Sequence, residues 1–429
     1  MKIKAYSLFI IILVISTQLY AQQVNFDTYF EKKALRFDFI LAGNASQQTA
    51  FLDGFRKEPV WGGPVKNLIE CFDYGEYAVE LYDKASSKLI YSTHFSTLFQ
   101  EWRTTAEAKI MSKSFSNSAI TPFPKKTAVI KLLARNDDTY KFETLFEAEV
   151  DPASIFIDHS ELAKNDVRSI QYNGNSNQKV DLVYIAEGYT KMEQEKFYHD
   201  VKRLNDSLFN QAPFNNRRND FNVWAVGLVS QDSKTDYSGK GIWNNTALNS
   251  GYYTFGLDRY LTTADYKSIR NAVWNVPCDA IIVLVNAETY GGGGIYNFYS
   301  MVTSDDVRSP KVLVHEFGHG FGGLADEYFE SDVAYDDSFY NLKTEPWEPN
   351  ITTLVNFEKK WKDMLPKNTP IPTQVDKSQP YKLGVYEGGG YLSKGIYRPV
   401  DRCMMRDYHP FCPVCQRSIN RVIDFLIDK

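Results

Sequence analysis

Two histidines four residues apart, His315 and His319, with Glu316 beside the first, are the residues of this chain whose types and spacing could do chemistry. On an α-helix, positions four apart lie one turn apart on the same face, where two imidazoles can share one metal ion. A catalytic zinc takes three protein ligands and keeps its fourth position for water, so a third ligand must follow. Asp326, seven residues past His319, is the first side chain there able to bind such a cation, and Glu327 is the reserve. Glu316 would take a proton from water attacking a peptide carbonyl and later hand it to the departing amine. That is peptide hydrolysis without a covalent intermediate. HExxH strings also arise on ordinary helices whose histidines only pack. The helix signals and the acid beyond them argue for the metal.

The elements that must position these groups are well signalled. In SPKVLVHEFGHGFGGLADEY (309–328), Ser309 is a candidate N-cap, Pro310 suits the first helical position, and Gly322 and Gly323 end the helix. Upstream, four glycines at 291–294 precede the alternating run IYNFYSMVT (295–303). Glycines there would let a bound peptide approach and pair as an added strand, with Gly292 and Gly293 as contacts. Neither GxGxxG nor a Walker lysine follows, so a phosphate loop is disfavoured. KVDLVYIAEGY (179–189) is a continuous apolar run, as a buried strand requires, and Thr190 with Glu193 makes a capping box for a helix over 191–210. Further strands are expected at 221–229 and 280–286, giving a mostly parallel sheet with helices on its faces. The segment 330–394 is loop-rich. Asp332, Asp336 and Asp337 within it lack the EF-hand pattern and read as a solvated acidic stretch. An amphipathic helix over 414–427, entered through Pro413, closes the chain.

The first part of the chain has a different texture. Segments 35–43, 77–95 and 127–150 alternate with period two around turn residues, which predicts an antiparallel β-sandwich. The expected division is a β-domain at 22–157, a polar linker at 158–178 and a catalytic domain at 179–429, a two-domain α+β and α/β arrangement. His94 and His159 have no second ligand at metal spacing, and Trp61, Phe72, Tyr74 and Trp102 are read as packing residues. No chemistry is expected from this domain.

At 429 residues the chain exceeds one typical core, and 43% hydrophobic, 24% charged and 15% aromatic residues describe a globular protein. A net charge of −5 argues against nucleic acid as a partner. Lys2 and Lys4 before an apolar run, then Ala21, predict a signal peptide over 1–21 and a secreted, periplasmic or cell-surface protein. No other segment is apolar enough to span a membrane. Export makes a disulfide the first expectation for the five cysteines, with Cys403 bonded to Cys412 or Cys415. A redox-active pair at CPVC (412–415) is the less favoured reading.

Taken with CMMRDYHPFCPVC (403–415), the stretches AEGYTKMEQEKF (186–197), VNAETYGGGG (285–294) and HEFGHGFGGLADEY (315–328) resemble the IgA peptidase family of secreted zinc metallopeptidases. The β-domain also looks like that family's accessory domain, so the resemblance covers nearly all of the expected mature chain. It implies a metzincin-like catalytic domain, in which His315, Glu316, His319 and Gly322 match the HExxHxxGxx pattern in register. The metzincin third-ligand position is filled by Ala325, and the acid comes one residue later at Asp326. If Gly323 makes the turn, the reach from glycine to ligand is kept. The resemblance also implies a methionine beneath the metal, for which Met405 is chosen over its neighbour Met404. Tyr408, three residues on, is a candidate to stabilise the oxyanion.

The leading expectation is therefore a secreted endopeptidase with one catalytic Zn2+, acting on protein or peptide substrates. The alternatives are a glycan- or protein-binding surface protein with a vestigial metal site, and an exopeptidase or amidase acting on cell-wall peptides.

Overall fold

Period-two alternation in the first part of the chain builds two four-stranded sheets. Their strands are β1 (Phe30–Gly43), β2 (Gln48–Glu58), β3 (Tyr77–Asp83), β4 (Lys88–Phe95), β5 (Lys113–Pro124), β6 (Ala128–Arg135), β7 (Phe142–Val150) and β8 (Ile157–Asp158). One sheet has the order β5-β1-β2-β8 and the other β4-β3-β6-β7. Every pairing in them is antiparallel except β2 with the two-residue β8. Phe37, Phe39 and Leu41 of β1 share one apolar core with Val79 and Leu81 of β3 and Ile130 and Leu132 of β6. The computed structural model describes residues 24–330 and 339–429. The expected leader at 1–21 and the acidic stretch holding Asp332, Asp336 and Asp337 lie outside the described residues.

The polar face of β1 is also covered. Arg36, 0% exposed, bonds Asp38 at 2.6 Å and reaches across to Asn271 of the second half at 2.7 Å. The side of the strand that alternation assigns to solvent is thus a domain interface. Its charges are buried because they are paired. A second tie is made by Asp428, whose carboxylate accepts the backbone N–H groups of Val65, Lys66 and Asn67 at 2.8–2.9 Å.

The second half is built on a six-stranded sheet of β9 (Asp166–Gln171), β10 (Val180–Glu187), β11 (Phe221–Gly227), β12 (Ala280–Val285), β13 (Gly292–Ile295) and β14 (Tyr299–Thr303). Its order is β13-β14-β12-β10-β11-β9. The four inner strands are parallel, and the two edges run antiparallel to them. All residues of β10 are buried, as its unbroken apolar run requires. Two features differ from expectation. The segment 158–178 is more than a linker, because β9 within it pairs with β11 and closes one edge. The glycines of 291–294 are not a loop before a strand: three of them are themselves in β13, turned onto β14 through Tyr296, Asn297 and Phe298.

Helices α1 (Gln194–Leu208) and α2 (Tyr266–Ala272) follow β10 and β11, and α3 (Ser309–Gly322) follows β14. The capping box forms ahead of α1, with the Thr190 N–H donating to Glu193 at 2.9 Å. A short helix α4 (Met404–Asp407) and the closing helix α5 (Pro413–Leu426) pack against α3. The core they share unites Leu182 and Tyr184 of β10, Leu313 and Phe317 of α3, Met405, and Ile419 of α5. At roughly 1.5–3 kcal/mol for each large apolar side chain removed from water, this core fixes α3 against the sheet.

Candidate active site

Helix α3 carries both histidines and Glu316. Pro310 lies in its first turn, but Arg308 rather than Ser309 is the N-cap, and it makes no side-chain cap. Ser309 is inside the helix and buried, where its hydroxyl faces that of Thr303 at 3.4 Å. The other end behaves as the paired glycines suggest. Gly322 is the last helical residue, and Gly323 takes φ +62°, its N–H closing on the carbonyls of Gly318 and His319. This left-handed turn sends the chain back under the helix.

That reversal brings Asp326 to the histidines. Its Oδ1 lies 3.1 Å from His315 Nε2 and 3.3 Å from His319 Nε2, and the two Nε2 atoms are 3.2 Å apart. The opposite nitrogens are tied to backbone: Nδ1 of His315 lies 3.0 Å from the Met404 carbonyl, and Nδ1 of His319 lies 2.6 Å from that of Leu324. A carbonyl accepts only, so both Nδ1 atoms carry hydrogen, and in the neutral rings both Nε2 lone pairs face inward. Asp326 Oδ1 is buried without a hydrogen-bond partner, while Oδ2 accepts from the Tyr391 hydroxyl at 2.7 Å. Three inward-facing acceptors at these separations are unfavourable without a cation. Zinc bonds of about 2.0–2.1 Å in tetrahedral array put ligand atoms roughly 3.3–3.4 Å apart, so the set fits that ion.

The electrostatics agree. Burial alone would push His319 down, but the Asp326 carboxylate overcomes it and holds the imidazole up at about 9. His315 is raised by the same balance. Burial opposes ionisation of Asp326 as well, yet the two rings hold it well below the usual carboxylate range. Glu327 does not compete for this site. Its side chain is fully buried on the other side of the chain, toward Cys415 and Asn350.

Glu316 borders the same cleft, a space of about 310 Å³ lined also by Arg259, Tyr290, Tyr328 and Tyr408. Burial pushes its carboxyl above the ordinary value. The carboxylate lies directly over Gly292, where a Cβ would come within 2.8 Å of Oε1. A Cβ on Gly294 would meet the Glu316 carbonyl at 2.3 Å. The glycines of β13 therefore let an edge strand lie against the active helix. The N–H and C=O of Gly292 are engaged by Arg259 and Leu261 of the same chain, at 3.3 and 3.2 Å. By the alternation of an antiparallel ladder, Gly293 turns its groups toward β14 and Gly294 turns its groups outward.

Met405 packs against α3. A Cβ on Gly318, between the two histidines, would meet its Sδ at 2.7 Å. The Met405 carbonyl accepts from the Glu327 N–H at 2.8 Å, so one short segment supports both His315 and the loop of Asp326. Tyr408 follows α4 with φ +61°, and its hydroxyl is 2.6 Å from that of Tyr290. Its ring centroid is 5.5 Å from that of His315. Cys403, Cys412 and Cys415 are brought together but remain thiols, with Cys415 Sγ 3.7 Å from Cys403 and 3.5 Å from Cys412. The expected disulfide is absent because no pair of these sulfurs is at bonding distance.

Several contributors escaped sequence reasoning. Asn350 braces the turn, bonding both backbone groups of Ala325 and the Glu327 carboxylate at 2.8–2.9 Å. Tyr391 orients Asp326 from a loop with no motif. Glu76, Ser96 and Glu101 of the strand-rich region line the cleft, so the domain from which no chemistry was expected forms part of its wall. A cavity of about 150 Å³ lies farther along the domain interface, around Trp61, Tyr266 and Phe298, away from His315, His319 and Asp326. Among the described residues, no helix is long and apolar enough to cross a membrane.

Comparison with known families agrees with this geometry. The family model for IgA Peptidase M64 matches residues 169–382 and 374–423, and that for the Peptidase M64 N-terminus matches residues 25–147. No curated protein matches the chain. The first match spans nearly all of the central sheet, α3 with the turn that follows it, and the segment around Met405, which is more than half of the chain, and on that ground this protein belongs to the IgA peptidase M64 family and is a peptidase.

Proposed function

We propose that this chain is a secreted zinc-dependent endopeptidase, with His315, His319 and Asp326 holding the ion and Glu316 as general base. The observation that carries the reading is the set of three acceptor atoms 3.1–3.3 Å apart, on buried His315 and Asp326 and half-buried His319, with both rings locked by backbone carbonyls. When bound, zinc supplies a Lewis acid that polarises the scissile carbonyl and lowers the pKa of water. The remaining work falls to the chain. Glu316, its carboxyl raised by burial, accepts a proton from the attacking water and returns it to the leaving nitrogen. Tyr408, beside His315 and bonded to Tyr290, donates toward the oxyanion. The outward groups of Gly294 pair with an extended substrate backbone in place of the Gly292 and Gly293 contacts first expected. A substrate lying along β13 crosses the cleft, which favours internal over terminal cleavage.

The two sheets of the strand-rich region are read as a β-sandwich accessory domain, and the second half as metzincin-like. The test is turnover of casein and a peptide library by purified protein, before and after chelation, with cleavage positions mapped by mass spectrometry. Activity that survives chelation, or that survives Glu316→Gln at full rate, would refute the assignment. Cuts confined to chain ends would replace it with an exopeptidase.

A further inference from the structure

A second ligand constellation lies one residue away from the first. Glu327, Cys403, Cys412 and Cys415 are all buried, and one ligand atom from each falls within 4.8 Å of the others. We propose that these four residues hold a second zinc ion in a closed, structural site. Tetrahedral zinc with bonds of about 2.3 Å to sulfur and 2.1 Å to oxygen has S···S edges near 3.8 Å and S···O edges near 3.6 Å. The separations here are 3.7 Å for Cys403–Cys415, 3.5 Å for Cys412–Cys415 and 3.5 Å for Cys415–Glu327 Oε1. A disulfide would need about 2.05 Å and would leave one of three clustered sulfurs unused. A metal uses all three and the carboxylate.

The surroundings suit thiolates. The N–H of Cys412 points at Cys403 Sγ at 3.4 Å, and that of Cys415 at Cys412 Sγ at 3.5 Å. Cys412 is also the N-cap of the fourteen-residue helix α5, where the helix dipole favours negative charge. Glu327 is 0% exposed, and its Oε2 has no hydrogen-bond partner. Oε1 is oriented by Asn350 at 2.9 Å, as a ligating carboxylate commonly is. Loading the site sends the protons of the three thiols and of the buried Glu327 carboxyl to solvent as the S–Zn and O–Zn bonds form, and no oxidant is required. The full set of four protein ligands leaves no position for water, which distinguishes this site from a catalytic one.

The two sites share backbone. Asp326 precedes Glu327, and Cys403 precedes Met404, whose carbonyl holds His315. The second ion would thereby fix the spacing of the first ion's ligands.

The test uses the full chain. Elemental analysis should give two zinc ions in the parent, one in Asp326→Ala, and one in Cys412→Ser. Because Cys412→Ser can fail to fold, the parent and Asp326→Ala are also loaded with cobalt, where a thiolate-to-metal charge-transfer band should persist in both. Thiol titration of chelated, denatured protein should count five. A parent with one zinc, a cobalt spectrum without sulfur bands, or a count of three thiols would overturn the proposal.

Discussion

The packing of β13 on α3 at Gly292 offers a sharp test, through Gly292→Ala. An added Cβ would lie 2.7 Å from Val312 Cγ1, 2.8 Å from Glu316 Oε1 and 3.0 Å from Glu316 Cγ. Ordinary carbon contacts begin near 3.5 Å, so about 0.8 Å must be found. The Glu316 carboxylate can swing away, but Val312 is buried, β-branched and on a helix, where one χ1 well dominates. The strand or the helix must therefore shift. Overpacking of this kind costs about 1–3 kcal/mol, or roughly 2–10 °C in Tm for a domain of this size. A displacement near 1 Å at a proton-transferring group is worth on the order of 100-fold in rate. The expected result is kcat reduced about 100-fold on a quenched peptide, with bound zinc unchanged and a modest fall in Tm. A variant with kcat within about three-fold of the parent would show that Glu316 does not act from the position described.

Three further outcomes follow from the same geometry. Asp326→Ala should leave the fold intact and weaken zinc binding by 100-fold or more, read by competition with a chelator of known affinity, since two imidazoles alone form an incomplete site. Tyr408→Phe should lower kcat about 10- to 100-fold with little change in KM, as loss of an oxyanion donor does; an equal loss in KM would point to a substrate-binding role. In metal-free protein, His319 is held at about 9 against an ordinary 6.5, so its contribution to stability is complete below about pH 6.5 and lost as pH rises through 9. Asp326, held low, contributes above its ordinary 3.8 and loses that as pH falls. Zinc must displace the imidazole proton, so affinity should climb up to about pH 9, with proton release seen by calorimetry in two buffers. Affinity that levels off near pH 6.5 would contradict this.

What could be read from the chain divides along physical lines. Residues set by local geometry were legible: the i, i+4 histidines, the glycine reversal, the Thr190–Glu193 box and the apolar run of β10 all declare themselves within a few positions. The approach of Asp326, rather than Glu327, to the histidines is also local, because it depends on the turn that Gly323 makes. Long-range partners were not legible. Nothing near Asn350 or Tyr391 marks them as supports of a turn more than 20 residues away, and Glu76 reaches the cleft only through domain packing. The glycines of 291–294 signal close backbone approach in sequence, and α3 is a neighbour that demands it at Gly292 and Gly294. For the cysteines compartment is the only guide in sequence, and it points to a disulfide; their convergence with Glu327 depends on α5 folding back beneath the turn after α3.

The bond between Met404 and His315 also sets when in synthesis this geometry can form. A polypeptide is made from its amino end, and the carbonyl that orients the first histidine arrives 89 positions after that histidine. Asp428, which ties the last helix to residues 65–67, arrives later still. A nascent chain that stops short of these residues lacks both anchors, so the orientation of His315 and the tie between the two halves form only after residues 404 and 428 have been made.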